Sequence, residues 1–130
     1  MFLLDTNTLI YFFKGIGNVP RNLLSKSPKD IGIPSIVIFE LETGIAKSTS
    51  PRKRMEQLQN LTAIVNIIPF GVNEAKASAR IRAQLEKRGI SIGPYDILIS
   101  GTALALSAKL VTHNIKEFKR IPKLEVEDWY

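Results

Sequence analysis

The side chains in this sequence best equipped for chemistry are carboxylates that arrive at the ends of apolar runs. Asp5 follows Phe2-Leu3-Leu4 directly, inside Leu4-Asp5-Thr6-Asn7, and Asp96 stands in Gly93-Pro94-Tyr95-Asp96 at the start of a strongly apolar helical stretch. Glu40 sits in Ile38-Phe39-Glu40-Leu41-Glu42-Thr43-Gly44, at the edge of an apolar helical surface, and Glu42 has an equal claim by periodicity. Singly, each has a plain structural explanation: Asp5 as a helix N-cap, and Asp96 as an acid favoured by a helix dipole. Together with Thr6, Asn7, Thr112, Asn114 and Glu117 they form an oxygen-rich set with no cysteine and only one histidine, His113, in the chain. Hard oxygen donors of this kind suit Mg²⁺, or Mn²⁺, rather than zinc. Clustered carboxylates repel one another unless a divalent cation compensates them.

Several other chemistries are excluded. A single histidine rules out a histidine-based zinc site and a two-histidine acid–base nuclease. No Gly-x-Ser-x-Gly elbow, phosphate-cradling Gly-x-x-x-x-Gly-Lys loop or dinucleotide fingerprint is present. A phosphatase that uses the Asp after its first strand as nucleophile wants Asp-x-Asp, and Asp5-Thr6-Asn7 lacks the second acid. The chain carries 18 Lys and Arg against 12 Asp and Glu, a net charge of +6. Setting the three candidate acids aside leaves 18 against 9, so an acidic pocket would sit in a strongly basic surface. That surface attracts a phosphodiester backbone while the pocket concentrates a metal that acts on it.

The elements that must position these groups alternate between strand and helix. With 130 residues, 45% of them hydrophobic, the chain reads as one ordinary globular domain. Phe2 to Leu4 is predicted as a strand, with a helix following from Asp5 through Lys14 and a shorter one from Val19 to Ser27. Asp30 to Ile33 reads as a second strand, and Pro34-Ser35 opens a helix to Lys47. Ser50 is expected to cap a helix from Arg52 to about Ala63. Ile64 to Ile68 reads as a strand buried on both faces. A long helix, Val72 to Arg88, should present Val72, Ala75, Ala79 and Ala83 along one stripe, with Ile81 and Leu85 beside it. Pro94 begins a buried helix through Lys109, Leu110 to Thr112 forms a fourth strand, Ile115 to Phe118 a helical turn, and Leu124 to Val126 a last short strand. Short apolar strands separated by helices imply an α/β fold with a mostly parallel central sheet of four to five strands, and its crevice lies at the carboxyl ends of the strands. No apolar run reaches the ~20 residues of a membrane helix, and the acid at position 5 does not suit a secretory signal, so the expected location is cytoplasmic.

Four blocks carry a family resemblance: Leu3-Leu4-Asp5-Thr6-Asn7, Phe39-Glu40-Leu41-Glu42-Thr43-Gly44, the stretch from Ile92 to Ala103 around Pro94-Tyr95-Asp96, and Val111-Thr112-His113-Asn114-Ile115-Lys116-Glu117-Phe118. In this order and spacing the chain resembles the PIN-domain ribonucleases, and among them the VapC toxins of bacterial type II toxin–antitoxin pairs. The resemblance extends to Glu127-Asp128-Trp129. It implies a single PIN domain over 1–130 with a three-layer α/β/α arrangement. It also selects Glu40 over Glu42 as the second family acid, so Asp5, Glu40 and Asp96 are the implied metal ligands. Many members have Asp where this chain has Asn114, which supplies no charge; Glu117, one helical turn on, stands ready to compensate. Thr6, Asn7 and Thr112 match positions that orient acids or water.

The implied activity is metal-dependent phosphodiester hydrolysis in RNA, ending in inhibited translation. The Gly-Pro-Tyr-Asp and Thr-His-Asn-Ile-Lys-Glu-Phe blocks look similar to members that cut initiator tRNA in its anticodon loop. Arg52, Lys53, Arg54, Arg80, Arg82 and Arg88 are the basic residues expected to position RNA, with Arg82 near the site because Ile81-Arg82-Ala83-Gln84-Leu85 resembles a recurring family segment. The family's usual partners are a VapB-type antitoxin and a second copy of the toxin. The rival to an enzyme is a PIN-like scaffold that binds RNA or antitoxin with little or no catalysis, and Asn114 is the residue that favours it.

Overall fold

Three apolar residues start the sheet. In the computed structural model, which describes residues 1–130, strand β1 (Phe2–Leu4) lies in the middle of five parallel strands. It pairs on one side with β2 (Ile31–Pro34) and on the other with β4 (Lys109–Val111), in the registers Phe2↔Ile31 and Phe2↔Lys109. β3 (Asn66–Ile68) extends the sheet beyond β2, and β5 (Val126–Glu127) extends it beyond β4, giving the order β3-β2-β1-β4-β5. Parallel strands require crossover connections, and helices provide them, so helical layers cover the sheet. Leu3, Leu4, Ile33, Leu110 and Val111 are wholly excluded from solvent, as the two-sided burial of central parallel strands demands.

The strand order reverses between β1 and β4. Such a switch point opens a crevice at the carboxyl ends of the two strands, and both are followed at once by polar residues, Asp5 after β1 and Thr112 after β4. Helix α1 (Thr6–Lys14) leaves β1 under a cap made by Asp5, whose side chain accepts the Thr8 backbone N–H at 2.9 Å. Gly15, at φ +69°, closes that helix in the left-handed conformation that glycine adopts without steric cost. α2 (Val19–Leu24) follows; α3 (Ser35–Lys47) then runs on from β2 and buries Val37, Leu41 and Ile45. α4 (Arg52–Thr62), α5 (Val72–Lys87), α6 (Pro94–Ala105) and the short α7 (Ile115–Phe118) complete the helical set.

Several boundaries and faces differ from expectation. α2 stops at Leu24, and Asp30 belongs to a 3-10 turn, Pro28–Asp30, rather than to β2. Pro51, not Ser50, occupies the N-cap of α4, and no side chain caps it. β3 is an edge strand, so Ile67 is exposed where burial on both faces was expected. β5 is shifted to Val126–Glu127. α6 ends at Ala105 because Ser107 takes a positive φ of 52° and turns the chain into β4, and only its middle, Ile99 to Ala103, is buried.

The long α5 also presents a different face to the core. Ser78, Ile81 and Leu85 are buried, whereas Val72, Ala75, Ala79 and Ala83 face solvent. Its contact with α6 explains the choice. A Cβ placed on Gly101 would overlap Ser78, so the two helices approach through a glycine and a serine at a distance no larger side chains allow.

Candidate functional site

Asp5 reaches the crevice on the first turn after β1 and is buried there, while its carboxylate also caps α1. Burial pushes its carboxyl above the ordinary range; the Thr112 and Thr8 side chains and the Thr8 backbone N–H oppose that shift by hydrogen bonding, and the charge of Asp128 adds to it. Thr112 is fully buried after β4, and its Oγ1 also accepts the Asn114 backbone N–H at 3.0 Å. Thr8 Oγ1 donates to the Val111 carbonyl at 3.2 Å, which ties the start of α1 to the end of β4. The base of the crevice is therefore stitched across the switch point.

Glu40 comes from α3 and is held by Thr6, whose Oγ1 donates to Glu40 Oε1 at 2.7 Å. Glu42 is exposed on the same helix and takes no part, so the fold separates two acids that periodicity left equal. Asp96 enters from the first turn of α6. Its carboxyl is pushed up to about 7, first by burial, then by a hydrogen bond with and the charge of Glu117, and finally by the charges of Asp5 and Glu40. Two carboxyl groups can share a hydrogen bond only if one keeps its proton. Glu117, on α7, also accepts from Asn114 Nδ2 at 2.8 Å.

The charges of Glu117, Asp5 and Glu40, from separate elements, thus all reach Asp96, and none of the four acids has a lysine or arginine within ion-pair distance. No three of them stand close enough together to make a ready-made metal shell. Neutral donors engage three of them instead, Thr8 and Thr112 on Asp5, Thr6 on Glu40 and Asn114 on Glu117. The donor set remains one of hard carboxylate and amide oxygens with uncompensated charge, which fits Mg²⁺ or Mn²⁺ in chemistry. Asn7 is exposed on the first turn of α1, next to Thr6.

The basic residues divide. Lys53 and Arg54 line a cleft of about 590 Å³ that also contains Glu40 and Lys14, and Arg54 is fixed over the Phe13 ring at 5.0 Å. On the other side, Lys116 and Arg120 line a hollow of about 350 Å³ with Gly93, Asn114 and Glu117. Lys14, Lys116 and Arg120 are not among the basic residues expected from the sequence; Lys116 and Arg120 stand one and five residues beyond Thr-His-Asn-Ile, and proximity to that block is their signal. Arg52 pairs with Glu56 at 3.2 Å and Arg82 with Glu86 at 3.0 Å, both in solvent. Arg82 lines the cleft between α5 and α6, where none of the four acids lies, rather than the acidic crevice. Arg88 donates to the Arg120 carbonyl at 3.1 Å, and Arg80 is exposed on α5. His113 Nδ1 and Asp128 Oδ2 stand 2.9 Å apart, and Asp128, through its charge on Asp5, is a further acid that the sequence reading did not single out.

Comparison with known proteins agrees with this architecture. The PIN domain family model matches residues 2–124. The tRNA(fMet)-specific endonuclease VapC of Salmonella typhimurium is 33% identical over 128 residues, 98% of this chain and 97% of that protein. Ribonuclease VapC2 of Rickettsia felis is 37% identical over 131 residues, 99% of this chain and 98% of its own length. Among solved structures, DNA-bound VapBC from Salmonella typhimurium superposes with a TM-score of 0.92 at 32% identity, covering 99% of this chain and 98% of the other. VapBC2 from Rickettsia felis, bound to a DNA fragment from its promoter, gives 0.90 at 38% identity with the same coverage of both chains. With the parallel five-stranded sheet and these full-length matches, the chain belongs to the VapC family of PIN-domain proteins.

Proposed function

We propose that this chain is a metal-dependent endoribonuclease, the toxin of a type II toxin–antitoxin pair, which hydrolyses phosphodiester bonds in RNA. One observation carries the reading: the charges of Asp5, Glu40 and Glu117 all reach Asp96 beside the switch point, with no lysine or arginine within ion-pair distance of any of the four, in a chain whose net charge is +6. Asp5 and Asp96 are the ligands that would hold a divalent cation, joined by Glu40. When bound, such an ion polarises a phosphodiester and lowers the pKa of water.

The chain's own groups do the remaining work. Thr6 holds Glu40 in place, and Thr112 holds Asp5 and the Asn114 backbone. Burial and the neighbouring acids hold the Asp96 carboxyl up at about 7, and a bound cation would favour its ionised form. Asn114 Nδ2 orients the Glu117 carboxylate, which then accepts a proton from water. Lys14, Lys53 and Arg54 on one flank and Lys116 and Arg120 on the other supply positive charge along which an RNA backbone crosses the crevice.

The name of the Salmonella relative makes initiator tRNA the first substrate to test. The solved VapBC relatives make a VapB-type antitoxin the expected partner, alongside a second copy of the chain. A second reading, a binding scaffold with weak catalysis, is favoured by the neutral Asn114 and by the absence of a ready-made three-acid shell. Incubating the purified chain with tRNA and with mRNA, in Mg²⁺, Mn²⁺ or chelator, separates the two. Metal-dependent cleavage at defined sites is expected; intact RNA under every condition sinks the enzyme in favour of the scaffold.

A further inference from the structure

Two exposed aromatic rings stand beside the acids and have no role in the core. Phe39 on α3 is 53% exposed and Tyr95 on α6 is 43% exposed, yet they touch each other, with ring centroids 5.6 Å apart at an angle of 58°. Each immediately precedes an acid of the crevice, Phe39 before Glu40 and Tyr95 before Asp96. Neighbouring Cα atoms lie 3.80 Å apart, so the touching rings flank the segments that carry Glu40 and Asp96. No lysine or arginine covers either ring; the cation–ring contacts of the chain involve Phe2, Phe13 and Trp129.

We propose that Phe39 and Tyr95 form a shelf on which an unpaired nucleobase stacks next to the phosphate to be cut, so that the chain selects looped or single-stranded RNA over duplex. The proposal rests on the ribonuclease reading above. A nucleotide offers an aromatic face and a phosphate in the order in which this rim offers rings and acids. Stacking of this kind accepts any base, because every base has a π-face. A base inside a duplex is already stacked on its neighbours and cannot reach the shelf. The rings position substrate and touch no reacting atom, so their loss should appear in binding rather than in the chemical step.

The test uses the purified full chain with an RNA stem–loop, the same sequence as a closed duplex, and a loop carrying 2-aminopurine beside the cut. Phe39→Ala and Tyr95→Ala should raise KM for the loop about tenfold with kcat within about threefold. Phe39→Leu and Tyr95→Leu, which keep apolar bulk without a π-face, should behave like the alanine variants, and Tyr95→Phe like the parent. In an Asp5→Asn background, which binds without cutting, the loop probe should be quenched on binding, and Tyr95→Ala should remove much of the quenching. Unchanged KM and unchanged quenching overturn the shelf while leaving the ribonuclease standing. Equal cleavage of loop and duplex overturns it too, as does unchanged KM combined with weakened binding of the purified cognate antitoxin, which assigns the rings to a protein interface. A parent chain that cuts no RNA at all overturns both readings.

Discussion

Two hollows in this molecule invite opposite conclusions. The one between α5 and α6, about 850 Å³, is lined mainly by apolar side chains such as Ala75, Ala79, Ile97 and Leu98, with Arg82 and Glu86 paired at its edge. In the crevice at the ends of β1 and β4, Asp96 instead feels the charges of Glu117, Asp5 and Glu40, and no lysine or arginine pairs with any of the four. Size records where apolar surface lacks a cover; reactivity follows charge that the fold concentrates and leaves uncompensated.

The strongest way to break this contrast is to remove charge from the crevice. Asp5→Asn and Asp96→Asn should each lower RNA cleavage by at least about a hundredfold with the fold intact, since both would hold the ion that activates water. Single-turnover cleavage together with circular dichroism checks this, and undiminished cleavage by either variant moves the chemistry elsewhere.

A gentler test reads the same charges without any substrate. Asp96 is raised to about 7 in the folded chain, against about 3.9 for an unfolded aspartate, and Asp5 is raised in the same direction. Between those pH values the folded chain holds a proton that the unfolded chain has released, so this contribution to stability is complete below about pH 4 and is lost as pH rises through about 7. In chelator, the melting temperature of the parent should therefore decline more between pH 4.5 and 7.5 than that of Asp96→Asn, by a modest amount because solvent reaches half of this group. Identical slopes would mean that neither burial nor its neighbours raise Asp96 in the folded chain.

The smallest effect is expected in the larger hollow. Arg82→Ala removes a solvent-exposed pair with Glu86, of the kind worth about 0–1 kcal/mol, and should change cleavage by less than about twofold. A large loss would carry the RNA path across α5.

The crevice was legible in outline because its parts obey local rules. Short apolar runs, Phe2-Leu3-Leu4 and Leu110-Val111, mark β1 and β4, and polar residues directly after them must lie at the carboxyl ends of a parallel sheet. What stayed hidden depends on contacts between distant segments. Periodicity treats Glu40 and Glu42 alike; only the family resemblance selects Glu40, and the contact that holds it, the Thr6 hydroxyl, is visible only in the fold. Alanines mark a helix face without saying whether it is covered, and the close approach of Gly101 to Ser78 turns α5 so that its alanine stripe faces water. An apolar run such as Ile64 to Ile68 reads as central until the strand order makes it an edge. The link between Glu117 and Asp96 joins two helices that no spacing rule connects.

The pairing of β1 with β4 has a consequence for biosynthesis. β2 can cover one side of the first strand early, but the other side waits for Lys109 to Val111, and Glu117 follows later still. At roughly 5–20 residues per second a ribosome takes several seconds to deliver that stretch, during which the nascent chain carries Asp5 and Glu40 without their counterparts. The acidic crevice thus closes only after residues 109 to 117 have been added, long after Asp5 and Glu40 were made.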